Sequence, residues 1–527
     1  MNVAHSPESP PPLSHRQILV VYSGLVLAIM LAALDSTIVT TALPTIVGEL
    51  GGLTQLSWVV TAYLVGQTTV IPLYGKLGDL YGRKGILQGA ILLFLAGSIL
   101  CGLSQTMPQL IFFRWIQGLG GGGLMVTAQA VVGDIVSPRQ RGRYQGIFGA
   151  VFGLASVAGP LLGGYLTSHW TWRWIFYINL PVGILALLVI ARTLPPRRPT
   201  IRREIDYSGI VLIAILLTSM ILLADLGGTE YSWTSPIILG LGVTTLLALI
   251  MFILVEARAV EPVLPLRLFL NRSFTVSVCL SWIVGFSLWG AVTYLPLFLQ
   301  VVKGASPTES GMQLLPLMGG VLVMSIISGQ TISRTGRYKT FPIVGMFIIS
   351  MGLFLLSRLD ALISQATLSL YFLMLGIGLG MIMQVLVVAI QNSVEYGTMG
   401  IATSGALLFR LMGGSLGTAV LGTLFTVCLH QNLIEVIPPE TIAETHLSAL
   451  SPQSILQLPL ETRALFRDAF SSSFQSIFRL AGCVALFGFL LTWFLPEIPL
   501  KHTIGDETTG EENSKFEDRK FETNSKE

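Results

Sequence analysis

Fourteen apolar runs, each about as long as a bilayer is thick, constrain this chain more than any other feature. In lipid every backbone polar group must be satisfied within the chain, and a helix does so with about 20 apolar residues. The runs fall near 18–40, 55–75, 86–105, 108–130, 144–166, 174–193, 207–226, 236–256, 273–298, 309–330, 341–358, 367–390, 400–427 and 473–495. Only 11% of the 527 residues are charged and 52% are hydrophobic, against about 25% charged in soluble domains. The expected fold is an all-α membrane protein embedded in the lipid bilayer. A net charge of +3 gives no reason to expect nucleic acid as a partner. Cys101, Cys279, Cys428 and Cys483 lie far apart in or beside apolar runs. They read as buried free thiols, with neither a disulfide framework nor a metal site.

Orientation follows from short-loop cations, which favour the cytoplasm. Arg16 precedes the first span. Lys76, Arg83 and Lys84 follow the second, Arg139, Arg141 and Arg143 the fourth, and Arg192, Arg197, Arg198, Arg202 and Arg203 the sixth. Arg258, Arg267 and Arg272 follow the eighth, and Arg334, Arg337 and Lys339 the tenth. The alternate loops are nearly free of cations. Both termini are therefore expected in the cytoplasm, in keeping with an even span count and a multi-pass protein of a bacterial plasma or inner membrane.

The stretch GKLGDLYGRKG (Gly75 to Gly85) has a weaker echo in GQTISRTGRYK (Gly329 to Lys339). Gly82 and Gly336 close the two copies at equal spacing, each followed by an Arg. If spans 9 to 14 repeat spans 1 to 6, spans 7 and 8 are an insertion. The division is then a cytoplasmic tail (1–17), a six-helix bundle (18–193), and a cytoplasmic loop with two inserted helices and a connecting loop (194–272). A second six-helix bundle (273–495) contains the outer loop 428–472, and a polar, disordered cytoplasmic tail (496–527) ends the chain. Transporters are often built from such repeats, with the site between them.

These residues carry a family resemblance. GKLGDLYGRKG resembles the loop signature of the major facilitator superfamily. LDSTIVTTALP (Leu34 to Pro44) is similar to the first-helix signature of its fourteen-span drug:proton antiporters, the EmrB/QacA type. RWIQGLGGG (Arg114 to Gly122) resembles the fourth-helix motif, and GPLLGG (Gly159 to Gly164) the end of the fifth-helix antiporter motif. Thr40 stands where that first-helix signature usually has Asn, and Ala155 where the antiporter motif usually has Gly. The resemblance implies two six-helix bundles plus two extra central helices, rocking around a central cavity.

It also sorts the candidate residues. Gly75, Asp79, Gly82, Arg83 and Lys84 read either as an orientation signal with headgroup contacts or as a cytoplasmic gate, with Asp79 and Arg83 forming a breakable latch. Gly146, Gly159, Pro160, Gly163 and Gly164 on helix 5 read as static packing or, by the resemblance, as a seal between the halves. Trp58, Tyr63, Gln67, Trp282, Trp289, Gln384 and Arg410 read as packing groups or as lining of a substrate pocket. Asp225 and Glu256, at span ends, are expected to face headgroups or water. Trp170, Trp172 and Trp174 beside His169 read as an interfacial belt. Asp35 lies roughly 25 Å along the first span, and Arg114 roughly 9 Å from the outer end of the fourth. The two opposite charges sit at compatible depths, as a structural ion pair or as the proton-coupling site.

The expected function is a proton-coupled multidrug exporter of amphipathic, often cationic small molecules. Export of a specific metabolite, siderophore or lipid is the alternative. The energy source would be a proton gradient, with no cofactor and no metal. A periplasmic adaptor protein is an open partner. No Walker A run, His-Glu-x-x-His or Ser-His-Asp set is present, which argues against an ATPase or an intramembrane enzyme. The chain leaves little room for the signalling domain of a sensor.

Overall fold

The computed structural model describes residues 14–51, 55–196, 206–228, 230–360, 362–436 and 460–500; the side chains of 288–291, 307–308, 396, 434–436 and 460–464 fall outside this description. Among the described residues the architecture is all-α, with one isolated bridge between Gly227 and Tyr231 in place of any sheet. Six long helices come first: α1 (His15–Leu50), α2 (Leu56–Tyr81), α3 (Arg83–Leu103), α4 (Met107–Ile135), α5 (Pro138–His169) and α6 (Asn179–Thr193). Two more follow, α7 (Tyr207–Leu226) and α8 (Pro236–Glu256). The last six are α9 (Arg272–Val301), α10 (Leu315–Thr335), α11 (Thr340–Leu356), α12 (Gln365–Ser393), α13 (Met399–Val436) and α14 (Leu460–Thr492).

Twelve of these segments are long and apolar enough to cross a membrane, counting the short helical turns before α6 and α10. The other two have simple reasons for falling short. α11 has only 17 residues. α4 carries Gly118 and Gly120 to Gly123 beside Arg114 and several glutamines, which dilute its apolarity. Helix starts follow capping chemistry, in which a side-chain oxygen accepts from a free backbone N–H of the first turn. Ser14 and Gln17 form a capping box on α1, and Thr106, Asp206, Ser235, Asn271 and Ser364 cap α4, α7, α8, α9 and α12. Gly82 (φ 88°) and Gly336 (φ 72°) end α2 and α10 in the left-handed region, which costs a residue without Cβ least. Both copies of the repeated stretch thus place a positive-φ glycine at the helix end, with ψ 138° at Gly82 and 4° at Gly336.

The repeat extends to packing. α1 packs on α4, α5 and α6; α2 on α4; α3 on α4 and α6. In the last six helices the same pairs recur in the same order: α9 on α12, α13 and α14; α10 on α12; α11 on α12 and α14. Each half has its own large apolar core. α7 and α8 pack on each other, and α7 also touches α2 and α13. α8 leaves Leu239, Val243, Leu246, Leu247 and Ile250 exposed, as an all-apolar helix facing lipid does.

The halves meet through α5 against α10 and α2 against α13. Both seams are closest toward the face where α1 begins and α14 ends, here called the termini face. Gly142 and Gly146 of α5 abut Gly329 and Ser325 of α10, and Gly75 of α2 abuts Gly400 and Ser404 of α13. Glycine lets backbones approach at these points.

Several sequence expectations change here. α1 begins at His15, inside the expected tail. The outer loop is partly helical, since α13 runs to Val436 and α14 starts at Leu460. The remainder of that loop and of both tails lies outside the described residues. All four cysteines are free, but only Cys101 is buried; Cys279 and Cys483 are exposed and Cys428 is half-buried.

Candidate functional site

Asp35 and Arg114 meet in the middle of the first bundle. Arg114 Nη1 donates to Asp35 Oδ2 at 2.7 Å. Asp35 is 0% exposed and Arg114 1%. Gln117 Nε2 (2.8 Å) and Asn179 Nδ2 (3.0 Å) donate to the other carboxylate oxygen, Oδ1. Both amides also donate to Ser98 Oγ, at 2.7 and 3.0 Å. Arg114 further donates to Gln117 Oε1 and Val59 O, and its guanidinium lies 4.2 Å from the centre of the Tyr63 ring. Four helices, α1, α3, α4 and α6, thus converge on one carboxylate. A buried charge is tolerated only when paired and hydrogen-bonded, and this one is both. Depth arithmetic finds the pair but not its partners. Gln117, one turn after Arg114, and Asn179, isolated in an apolar run, are the signals that point to them.

The second constellation lies at the termini face. Arg83 Nη2 donates to Asp79 Oδ1 at 2.8 Å, and Arg83 Nε lies 2.8 Å from Asp134 Oδ2. These three belong to one half. The link across halves is made by Asp79 itself, which accepts from the backbone N–H of Gly400 and Ile401, both at 3.0 Å. Those amides open α13, where a helix presents unpaired donors and a positive dipole end. Lys76 pairs with Glu261 at 2.7 Å, tying α2 to the loop after α8. Lys84 donates instead to Ala191 O within its own half. Gln391 of α12 adds a contact between halves, donating to Gln129 O of α4 at 3.1 Å.

Helix α5 divides its glycines between two partners. Gly146 faces Ser325 of the other half. Gly159 and Gly163 face Thr37, Ile38 and Thr41 of α1, within the same half. The space beside Gly164 is open, and Pro160 is exposed. The structure therefore brings Gly146 alone of these five to the seam between halves.

The pocket candidates also separate. Tyr63 and Gln67 are buried in the first bundle, Tyr63 under Arg114 and Gln67 against Met125. Trp58 and Trp282 are half-buried, Trp282 stacking on Phe286 at 5.5 Å. Gln384 is buried near Gly149 at the α5–α10 seam. Arg410 is half-buried. The Trp289 side chain lies outside the described residues.

One of the two expectations about span ends is corrected. Glu256 is buried because the chain turns back over it, and its carboxylate accepts from Val263 and Leu264 N–H. Asp225 is exposed, as expected, and accepts from Thr61 of α2. In the tryptophan belt, Trp170 and Trp174 are exposed, but Trp172 is buried and donates to Glu49. Among the described residues no group of three or more His, Cys, Asp or Glu is placed to hold a metal ion.

Comparison with known proteins decides the family. Residues 25–418 match the Major Facilitator Superfamily. The chain belongs to this superfamily. It is a secondary active transporter, not an enzyme. It is 43% identical, over 91% of its length and 70% of the relative's, to an uncharacterized MFS-type transporter of Mycobacterium tuberculosis. It is 36% identical to the multidrug transporter protein MdtP of Bacillus subtilis, covering 93% of this chain and 94% of that one. Its fold is similar to that of the proton:xylose symporter XylE, with a TM-score of 0.62 at 15% identity, covering 92% of this chain and 97% of that one.

Proposed function

We propose that this superfamily member is a proton-coupled exporter of amphipathic small molecules, of the fourteen-span drug:proton antiporter branch. The observation that carries the reading is the sealed Asp35–Arg114 pair within a fold whose halves close at the termini face. Fourteen helices, the inserted α7–α8 hairpin and the first-helix signature support the branch. The named function of the Bacillus relative supports small-molecule export. The loop cations support a cytoplasmic termini face. On that placement the halves close toward the cytoplasm.

Mechanistically, Arg114 pairs with Asp35 while the site is dry. Rocking of the halves admits water or substrate, and a proton from outside neutralises Asp35. The released Arg114 then changes partners, and when the halves open toward the cytoplasm the proton leaves Asp35 on that side and the pair re-forms. Asp79 on the α13 amides is the latch of the closed cytoplasmic end. A periplasmic adaptor would extend the route without entering this cycle.

Reconstituted vesicles test the reading. An imposed proton gradient, without ATP, is expected to drive a fluorescent amphipath such as dansylcadaverine against its gradient, and a protonophore to stop it. Movement that is indifferent to the gradient would sink the proposal.

A further inference from the structure

Arg410 is a charge that the coupling pair and the latch do not use. It lies 11 residues past Met399, the start of α13, or roughly 16 Å along the helix, and so near mid-membrane. Among the described residues it has neither a carboxylate within ion-pair distance nor a hydrogen-bond partner. Its guanidinium nitrogens are not among the sealed, unpartnered polar atoms, so each keeps some accessible surface.

Its direction follows from the helix. Thr403, seven residues earlier, shares its face after two turns. Thr403 is fully buried and accepts from Gln391 of α12, which also donates to Gln129 O of α4. This face of α13 therefore looks at the junction between halves and away from lipid. Ser404, where α2 closes on α13 through Gly75, is six residues before Arg410, roughly 9 Å nearer the termini face. Arg410 thus stands on the far side of that closure. Against its backbone carbonyl lies Gly285 of α9, one turn from the half-buried Trp282, itself stacked on Phe286.

A guanidinium this deep needs an anion or water, and its forked donors match a carboxylate in two parallel hydrogen bonds. Asp35 cannot serve, being already paired in the other half. We propose that Arg410 anchors the acidic group of the exported molecule, whose aromatic or aliphatic body lies along Trp282. Amphipathic carboxylates are then substrates alongside the often cationic molecules that the first-helix resemblance implied. The proposal rests on the export reading and names the substrate class of the same cavity.

Two probes with one fluorophore test it: dansylglycine, an anion, and dansylcadaverine, a cation. Binding is measured on the full chain in nanodiscs, with thermal melting as the control for folding. The wild type is expected to bind dansylglycine. Arg410→Gln should weaken that binding by about tenfold, the scale of a lost charged hydrogen bond, and leave dansylcadaverine little changed. Arg410→Lys keeps the charge and loses the fork, so a smaller, still selective loss is expected; it also carries the test if Arg410→Gln does not fold. A wild type blind to dansylglycine, or variants that weaken both probes equally or neither, would overturn the assignment. Gradient-driven export of dansylcadaverine by Arg410→Gln alongside unaltered dansylglycine binding would leave the export reading standing and this inference refuted.

Discussion

Arg114 and Asp35 share a 2.7 Å hydrogen bond that no solvent reaches. Such a pair is held by its own low-dielectric surroundings, so losing one member leaves the other charge stranded. Asp35→Asn is expected to destabilise the first bundle by about 3–5 kcal/mol and to abolish gradient-driven export. The double variant Asp35→Asn/Arg114→Gln removes both charges and should recover most of the melting temperature without recovering export. If the double variant exports normally, the pair is structural and coupling lies elsewhere.

Asp79 binds two α13 amides at once. Asn offers a single acceptor oxygen and no charge. Hydrogen bonds to charged groups are worth about 1.5–3 kcal/mol, so Asp79→Asn should move the balance between closed and open termini faces about tenfold or more. Spin labels at exposed Tyr81 and Gly397, at the ends of α2 and before α13, would read the change. The long-distance population should grow and turnover should slow. An unaltered distance distribution would reduce Asp79 to an orientation signal.

The sequence shows the spans because membrane composition is a bulk property, visible without knowing any contact. Asp35 and Arg114 are also legible, since two opposite charges at one depth leave few alternatives in lipid. The latch is only half legible. Asp79 announces itself as a carboxylate among cations, but its partners at Gly400 and Ile401 are main-chain amides, which every residue has. Trp172 and Glu256 mislead for a related reason. Their burial depends on neighbours brought by other segments, Glu49 for one and the returning chain at Val263 and Leu264 for the other. The helix 5 glycines look alike as a motif and part only when α1 and α10 are in place.

Topology has a direct check. The loop cations place Tyr81, at the end of α2, in the cytoplasm. Leu362, exposed after α11, lies nine helices further along, α3 to α11, an odd number of crossings, and so belongs outside. Single cysteines at these positions, in a background lacking Cys101, Cys279, Cys428 and Cys483, should label from opposite sides with an impermeant maleimide. Labelling of Leu362→Cys from the cytoplasm would reverse the orientation and with it the direction of export.

Helix α5 gives the sharpest contrast between packing and function. A side chain at Gly146 would meet the backbone of Ser325 across the seam between halves, whereas one at Gly159 would meet Thr37 inside the first bundle. Overpacking a tight contact costs about 1–3 kcal/mol, occasionally more. Gly159→Leu should therefore lower the melting temperature and the yield of folded protein, because α1 and α5 stay together throughout the cycle. Gly146→Leu strains only the state in which the halves are closed at the termini face. Its protein should be made and inserted normally, yet sample the closed state less and transport slowly. Gly164→Leu enters open space and is expected to alter neither property. The three variants, compared by melting curves and vesicle transport, separate a static seam from a moving one: if Gly146→Leu loses stability as Gly159→Leu does and keeps its transport rate per folded molecule, the α5–α10 seam does not open during transport.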